Sequence, residues 1–287
     1  MNQQSESLQQ LCAAIELSRL PSIGAARFKM LIDRYGCPIA AFAQTPQQRH
    51  LLNTKGKTIL THEQLNRVID FAATADFTYY GAPDYPRLLA QLAEPPPYLF
   101  RQGPLWPLQT HMVAIVGPRD CSEDGRNFAQ TIAAHLAKQG VIIVSGGACG
   151  IDAAAHNGAL AHGGLSILVT ATGIDMVYPP QHQELFEHIR KRGCLLTELL
   201  PGTPPRRDFF PTRNRIIVGL SSALIIVEGK LRTGTWSSAS HALKQQRKIF
   251  VWTESPRPEL RTLPLWLLEH GAFGLNTSDP SPIMRII

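Results

Sequence analysis

The sequence lacks any apolar run close to the roughly 20 residues that a membrane-spanning helix needs. Its first residues are rich in Gln and Ser and lack the basic and apolar segments of a secretory signal peptide. Both absences argue against a membrane protein and against a secreted one. We therefore expect a cytoplasmic protein.

Cysteine is scarce and poorly placed for binding a metal or forming cross-links. The chain has five cysteines, none in a C-x-x-C pair and none at a metal-ligand spacing from a histidine. A zinc site or a disulfide framework is therefore not expected, and the thiols are interpreted as reduced. We predict no metal centre and no cofactor.

Two fingerprints of nucleotide-dependent enzymes are also absent. The chain has no G-x-G-x-x-G, which marks dinucleotide-binding folds, and no G-x-x-x-x-G-K-[ST], which marks nucleoside triphosphatases. Hydride transfer and ATP hydrolysis therefore lose support. The net charge of +6 permits an acidic partner such as nucleic acid, although scattered lysines and arginines would give the same total.

What the sequence does contain is an alternation of strand and helix patterns that starts at residue 111. Residues 113–116 are apolar and β-branched, which is typical of a strand buried on both faces. A turn at 117–120 then leads into apolar residues at helical spacing, up to Gly140. A second apolar run at 141–144 ends in the glycine turn 145–150.

The alternation continues through most of the remaining chain. It predicts a doubly wound, Rossmann-like α/β fold with a mostly parallel sheet, whose ligands bind at the carboxyl ends of the strands. Further strands are predicted at residues 166–171, 194–197, 223–227 and 249–252, and further helices at 182–192, 237–245 and 263–270, with another helix starting at Asp152. The glycine turn 228–235 falls on the same ligand edge as the first two turns.

Residues 1–75 are interpreted as a small helical domain that precedes the α/β domain. The sequence Leu-Pro-Ser-Ile-Gly at 20–24 resembles a helix-hairpin-helix loop, whose backbone N–H groups can bind a DNA phosphate. A single such loop also fits a bundle that is structural or contacts other proteins. The sequence leaves these alternatives open.

Residues 76–110 form a proline-rich connection between the two domains. We expect it to pack along the main domain, because proline fixes an extended path and prevents helix. Within it, residues 98–100 are predicted to form an edge strand. The α/β domain is assigned to residues 111–287.

The turns at the ligand edge predict a ligand that carries phosphate. Small residues let backbone N–H groups approach an anion, helix N-termini add partial positive charge, and Arg119 adds a fork of donors. Tight chain reversal would explain any one of these turns equally well. Two on one edge, with an arginine in one of them, favour the ligand site.

Arginine and phenylalanine are concentrated between residues 206 and 215. Basic side chains bind backbone phosphate, and an aromatic ring can stack on an unpaired base. Phenylalanines of the core among solvated arginines are the alternative. Asn214, within this segment, could start or cap a helix. The cluster comprises Arg206, Arg207, Phe209, Phe210, Arg213 and Arg215.

Four motifs occur together and in order along the chain. They are V-A-I-V-G-P-R at 113–119, S-G-G-A-C-G-I-D at 145–152, G-I-D-x-x-Y-P-P at 173–180 and F-P-x-R-N-R-I-I-x-G-L-S at 210–221. As a set they resemble the DNA-processing protein A (DprA/Smf) family, and the resemblance runs from residue 83 to about residue 246. It implies a non-enzymatic, usually dimeric protein that binds single-stranded DNA, protects it in natural transformation and loads a RecA-type recombinase onto it.

The resemblance also implies a set of binding residues. The strand-binding pocket of the family maps here to Arg119, Ser145, Gly146, Gly147, Arg213 and Asn214, with Lys230 and Arg232 as further candidates. Arg215 joins them as a predicted phosphate contact. Most of them lie in turns that the residue patterns already assign to one edge of the sheet.

The chain departs from the family pattern in three ways. Pro118 stands where the family usually has a threonine, and residues 252–270 do not follow the family pattern, which puts the recombinase contact in doubt. Many members carry a C-terminal winged-helix domain, and the chain is interpreted as a divergent member without one. A role in mobile elements or in defence is an alternative to transformation.

Two other readings stay open. Enzymes of the lysine-decarboxylase-like (LOG) fold hydrolyse nucleoside monophosphates and are similar in architecture, but Ser238 stands where their catalytic carboxylate would be. Asp152, Asp175 and Glu228 are nearby carboxylates for which helix capping or turn formation is the simpler use. A protein scaffold with a vestigial pocket is the other alternative.

Overall fold

The computed structural model describes residues 3–44, 61–72, 76–104 and 111–287. No helix within these ranges has both the length and the apolar composition to cross a bilayer. The helices of the N-terminal part are α1 (Gln3–Ser18), α2 (Ala25–Tyr35), α3 (Pro38–Ala43) and α4 (His62–Ala72).

The described strands form one sheet flanked by helices. In chain order they are β1 (Asp76–Tyr79), β2 (Tyr98–Gln102), β3 (Met112–Val116), β4 (Ile142–Ser145), β5 (Ser166–Val169), β6 (Cys194–Thr197), β7 (Ala223–Ile226), β8 (Lys248–Trp252) and β9 (Phe273–Leu275). Their spatial order is β1-β2-β6-β5-β4-β3-β7-β8-β9. In this spatial order, all neighbouring strands between β6 and β9 pair in parallel. Strand β2 instead pairs antiparallel with both β1 and β6.

Helices cover both faces of this sheet. They are α5 (Arg87–Ala90), α6 (Glu123–Lys138), α7 (Ile151–Ala161), α8 (Gln183–Arg192), α9 (Phe209–Leu220), α10 (Gly234–Lys244), α11 (Thr262–Glu269) and α12 (Ser281–Met284). Because strand side chains alternate, Ala114 and Val116 of β3 lie in the core under α9 and α10, whereas Val113 and Ile115 lie in the core under α6 and α7. The predicted doubly wound, mostly parallel fold is confirmed.

The prediction that residues 98–100 form an edge strand is wrong. They belong to β2, which lies inside the sheet because β1 pairs along its outer side, with Asp76 opposite Arg101. The connection between these strands is held to both of them by Asp84, which accepts hydrogen bonds from Thr78 (2.7 Å) and Arg101 (3.1 Å). The proline-rich segment thus adds two strands to the sheet.

The strand β9 was also not predicted. It is three residues long, contains a glycine and leaves Phe273 exposed, so it carries little of the apolar pattern that marks a buried strand. It pairs parallel with β8 and lies at the other end of the sheet.

The N-terminal helices pack against the strands rather than standing apart. Leu11 and Ile15 of α1 lie in one core cluster together with Tyr98 of β2, and Leu17 of the same helix lies in another cluster together with Leu99. One helix therefore contributes to the cores on both faces of the sheet. The division of the chain at residues 75 and 110 stays a prediction.

Candidate nucleic-acid interface

Two adjoining cavities open at the carboxyl ends of the central strands. The first, of about 330 Å³, lies between the turn after β3, α9 and the start of α10. The second, of about 300 Å³, lies between the turn after β4 and residues 178–181. Their common wall consists of Arg119, Ala148, Phe210 and Arg213.

Arg213 is the buried cation of this wall. Its side chain enters from α9, and Nη1 donates to the carbonyls of Gly146, at 2.7 Å, and Val169. Nε donates to Asn214 Oδ1 at 3.2 Å. Burial lowers the pKa of Arg213 to about 10, and the Asp152 carboxylate opposes that shift. Arg213 therefore joins the ends of β4 and β5 through their carbonyls.

Gly146 is required by this arrangement. A Cβ atom at residue 146 would lie 2.5 Å from Nη2 of Arg213, which is far inside contact distance. The guanidinium group is itself held by two carbonyls, so it cannot move aside without losing hydrogen bonds. The glycine turn after β4 thus makes room for the arginine.

Asp152 places a carboxylate beside this cation. It lines the first cavity, is 6% exposed, and accepts a hydrogen bond from the Ala148 N–H at 3.4 Å. Burial raises its pKa, and the nearby Arg213 acts in the opposite direction. The carboxylate is occupied in holding the turn at the start of α7.

Arg119 is the exposed cation of the wall. Its guanidinium carbon lies 5.2 Å from the ring centre of Phe210, and that of Arg213 lies 6.0 Å from the same ring. The Tyr178 ring packs against Phe210 at 5.6 Å. Arg119 forms no salt bridge with any residue in the described ranges, so its donors face solvent at the junction of the two cavities.

Comparison with known proteins agrees with this architecture. The family model for DNA recombination-mediator protein A matches residues 76–281, which is most of the chain. The chain belongs to that family. The resemblance to DprA/Smf proteins predicted from the four sequence motifs is thereby confirmed.

Relatives in this family are similar in sequence and in structure. Protein Smf of Synechocystis is 40% identical over 194 residues, covering 66% of this chain and 49% of its own length. DNA processing protein DprA of Streptococcus pneumoniae is 39% identical over 167 residues, covering 58% and 59%. The chain thus spans about half to three fifths of the length of these two curated relatives.

Two solved structures of family members align with the fold. The X-ray structure of DNA processing protein A from Streptococcus pneumoniae has a TM-score of 0.71 and 28% identity, covering 97% of this chain and 91% of that one. A structure of the protein from Helicobacter pylori, described by its mode of binding single-stranded DNA, has a TM-score of 0.64 and 31% identity, covering 72% and 94%.

The fold brings several of the residues implied by the family pocket to the cavities. Arg119, Gly146, Arg213 and Asn214 line one or both of them, and Lys230 lies at the mouth of the first. Asn214 lies inside α9, which begins at Phe209, so the interpretation of Asn214 as a helix start or cap is wrong.

Other predicted residues lie outside the cavities. The Ser145 hydroxyl is fully buried and donates to the Ile115 carbonyl at 2.6 Å, and the Gly147 carbonyl lies 2.9 Å from Nδ1 of His182. Arg215 pairs with Glu198 and lines a separate cavity beside α2 and the end of α10. Arg232 lines none of the cavities described here and is exposed.

The second cavity has a wall that the residue patterns did not predict. Tyr178 and the segment 179–181 line it opposite Phe210, together with Cys149 from the turn after β4. The Y-P-P tripeptide belongs to one of the family motifs, yet nothing in its composition indicates a ligand. Its position depends on the path of the loop after β5, which the sequence pattern does not determine.

The two other carboxylates that the sequence assigns to this edge hold turns in place. Glu228 is fully buried and accepts from the Ser122 N–H (2.9 Å) and hydroxyl (2.6 Å) and from the Ser255 hydroxyl. Asp175 accepts from the Gly202 N–H at 2.9 Å. Each therefore has a structural use, as predicted from the sequence.

Acidification is expected to destabilise the fold through His156. This residue of α7 is fully buried with Nδ1 2.7 Å from the Ser166 hydroxyl, and burial lowers its pKa to about 3. An unfolded histidine titrates near 6.5, so between these values only the unfolded state binds the extra proton. Lowering the pH from 6.5 to 4.5 should therefore reduce the free energy of unfolding by about 2 kcal/mol through this group.

Urea unfolding at both pH values measures this effect. His156→Gln should show a smaller loss on acidification than the wild type, whereas the exposed His111→Gln should show the same loss. Equal acid sensitivity of His156→Gln and wild type would contradict the prediction.

Proposed function

We propose that the chain binds single-stranded DNA in the two cavities and acts in DNA processing. The observation that carries the proposal is the wall of Arg119, Phe210 and Arg213, in which two guanidinium groups lie within 6.0 Å of the centre of one aromatic ring between two cavities. Family membership and the DNA-binding mode described for the Helicobacter pylori protein support it.

The chemistry of the wall suits an unpaired strand. Arg119 offers donors for a backbone phosphate, and backbone N–H groups at the starts of α7 and α10 add partial positive charge. The Phe210 ring offers a face for a base, which duplex DNA keeps stacked inside the helix. We therefore expect weak sequence preference and a preference for single strands over duplex.

We infer binding without catalysis. In the first cavity, Ser238 is 2% exposed and carries no acid group, and Asp152 is held by a backbone N–H beside Arg213. Neither arrangement supplies a free general acid. Incubation with nucleoside monophosphates should therefore release no free base, and turnover above background would favour the hydrolase reading.

We further propose that the chain is a cytoplasmic homodimer that protects single-stranded DNA in transformation or recombination and loads a RecA-type recombinase. The location, the dimer, the protection of DNA and the recombinase loading are proposed because the family that the chain resembles has these properties. Light scattering should give twice the mass of one chain, and added protein should speed recombinase assembly on strands coated with single-strand-binding protein. A monomeric mass at working concentration would contradict the dimer. Recombinase assembly that is no faster with added protein would contradict the loading role.

Fluorescence anisotropy tests the binding proposal directly. A labelled oligonucleotide and the same sequence as a duplex are titrated with protein at two salt concentrations. We expect tighter binding of the single strand, weakened by salt because phosphate contacts release counterions. The absence of binding to either form would overturn the proposal.

Arg119→Ala is expected to weaken binding of the single strand about tenfold at low salt, since one phosphate contact is lost. The slope of log affinity against log salt should become shallower by about 0.7, the value for one phosphate of a single strand. Arg285→Ala, the loss of an equal charge on an exposed residue outside both cavities, is the matched control. Unchanged affinity and slope in Arg119→Ala would remove the residue from the site.

A further inference from the structure

The mouth of the first cavity carries an acidic side chain next to Arg119. Asp120 lines the cavity, and its side chain is 87% exposed. A carboxylate at the entrance repels a phosphate, and Asp152 already places a second carboxylate in the lining of this cavity. A site for a polyanion therefore requires that the charge of Asp120 be offset.

Arg257 is positioned to offset it. Nη1 lies 3.1 Å from Oδ1 of Asp120 and Nη2 lies 3.1 Å from Oδ2, so the guanidinium engages both oxygens. Nη1 also lies 3.4 Å from the backbone carbonyl of Asp120. The hydrogen bond from Arg257 lowers the pKa of Asp120, so the carboxylate is ionised and paired at neutral pH.

The segment that carries Arg257 is tied to the wall of the same cavity. Gly229, in the loop after β7, donates to the carbonyl of Leu260 at 2.8 Å and accepts from the N–H of Leu263 at 3.1 Å. Leu260 itself lines the first cavity and is 2% exposed. The segment that carries Arg257 is thus hydrogen-bonded to the loop after β7, and Arg257 itself contacts the loop after β3.

We infer that Arg257 is a positioning residue that neutralises Asp120 and thereby keeps the mouth of the first cavity open to a DNA phosphate. The inference rests on the proposed function. It assigns a role to the segment after β8, where the chain departs from the family pattern. The competing role, direct contact between Arg257 and phosphate, predicts a different response when Asp120 is also changed.

A double-mutant cycle separates the two roles. Arg257→Ala exposes the carboxylate and should weaken binding of a labelled single strand about fivefold at low salt, a modest effect because the pair is exposed to solvent. Asp120→Asn removes the carboxylate from the mouth and leaves Arg257 paired with Glu259 alone, so it should tighten binding about threefold. The Arg257→Ala, Asp120→Asn double variant should bind within about twofold of the wild type, because neither charge is present.

The controls distinguish a failure of this inference from a failure of the proposed function. Glu259→Gln removes the other carboxylate on Arg257, 2.9 Å from Nε, and should leave affinity within about twofold of the wild type, as should Arg285→Ala. If the wild type binds and Arg119→Ala weakens it, but Arg257→Ala has no effect or is not rescued by Asp120→Asn, the inference alone is wrong. If the wild type does not bind, the proposed function falls and the inference with it.

Discussion

Arg213→Met is expected to lower the free energy of unfolding by about 3–5 kcal/mol, because it removes a buried cation that donates to two carbonyls and stabilises the nearby Asp152 carboxylate through its charge. The Asp152 side chain would remain buried beside an apolar group. The carbonyls of Gly146 and Val169 would lose their shared donor as well. Urea unfolding at neutral pH measures the loss, and binding of single-stranded DNA should fall below detection in the same variant.

A conservative replacement is not expected to rescue Arg213. Lysine keeps the charge, but its single ammonium group cannot donate to the carbonyls of Gly146 and Val169, as Nη1 does, and also to Asn214, as Nε does. We therefore expect Arg213→Lys to recover part of the stability and little of the binding.

Asp152→Asn provides the matched control for the charge. In the Arg213→Met, Asp152→Asn double variant no buried charge is left unpaired, so unfolding should cost about 1–3 kcal/mol more than in Arg213→Met alone. A loss below about 1 kcal/mol in Arg213→Met would contradict the role assigned to this buried cation.

The central strands could be predicted from the sequence because their patterns are local. β3, β4 and β7 are short apolar runs that end in glycine turns, and parallel strands place those turns on one edge whatever the details of packing. The position of β2 could not be predicted. Whether a strand lies at an edge depends on its partner, and β1 has the half-polar sequence DFTY with little apolar signal of its own.

The candidate site could likewise be predicted only in part from the sequence. Arg119 follows a buried strand, so its place at the ligand edge follows from the fold. Arg213 and Arg215 are two residues apart on α9, which rotates their side chains by about 200° around the helix. One is therefore buried between the strand ends and the other pairs with Glu198, a difference that depends on where the helix begins.

Phe210→Ala is expected to weaken binding of single-stranded DNA about 5-fold to 150-fold, since stacking of one base contributes about 1–3 kcal/mol. The ring also sets the spacing of the wall, because both Arg119 and Arg213 lie against it. Phe210→Tyr keeps the aromatic face and should retain most of the affinity. Fluorescence anisotropy with a labelled oligonucleotide measures the affinities of the wild type and of both variants.

The neighbouring phenylalanine offers a matched control for this variant. Phe209 is partly buried like Phe210 but contacts Arg206, at 5.0 Å from its ring centre, and lines neither cavity. Phe209→Ala should therefore change affinity less than about twofold if stacking occurs only at the shared wall. Equal losses in the two variants would mean that the strand runs across the outer surface of α9, and that the wall between the cavities is not where a base binds.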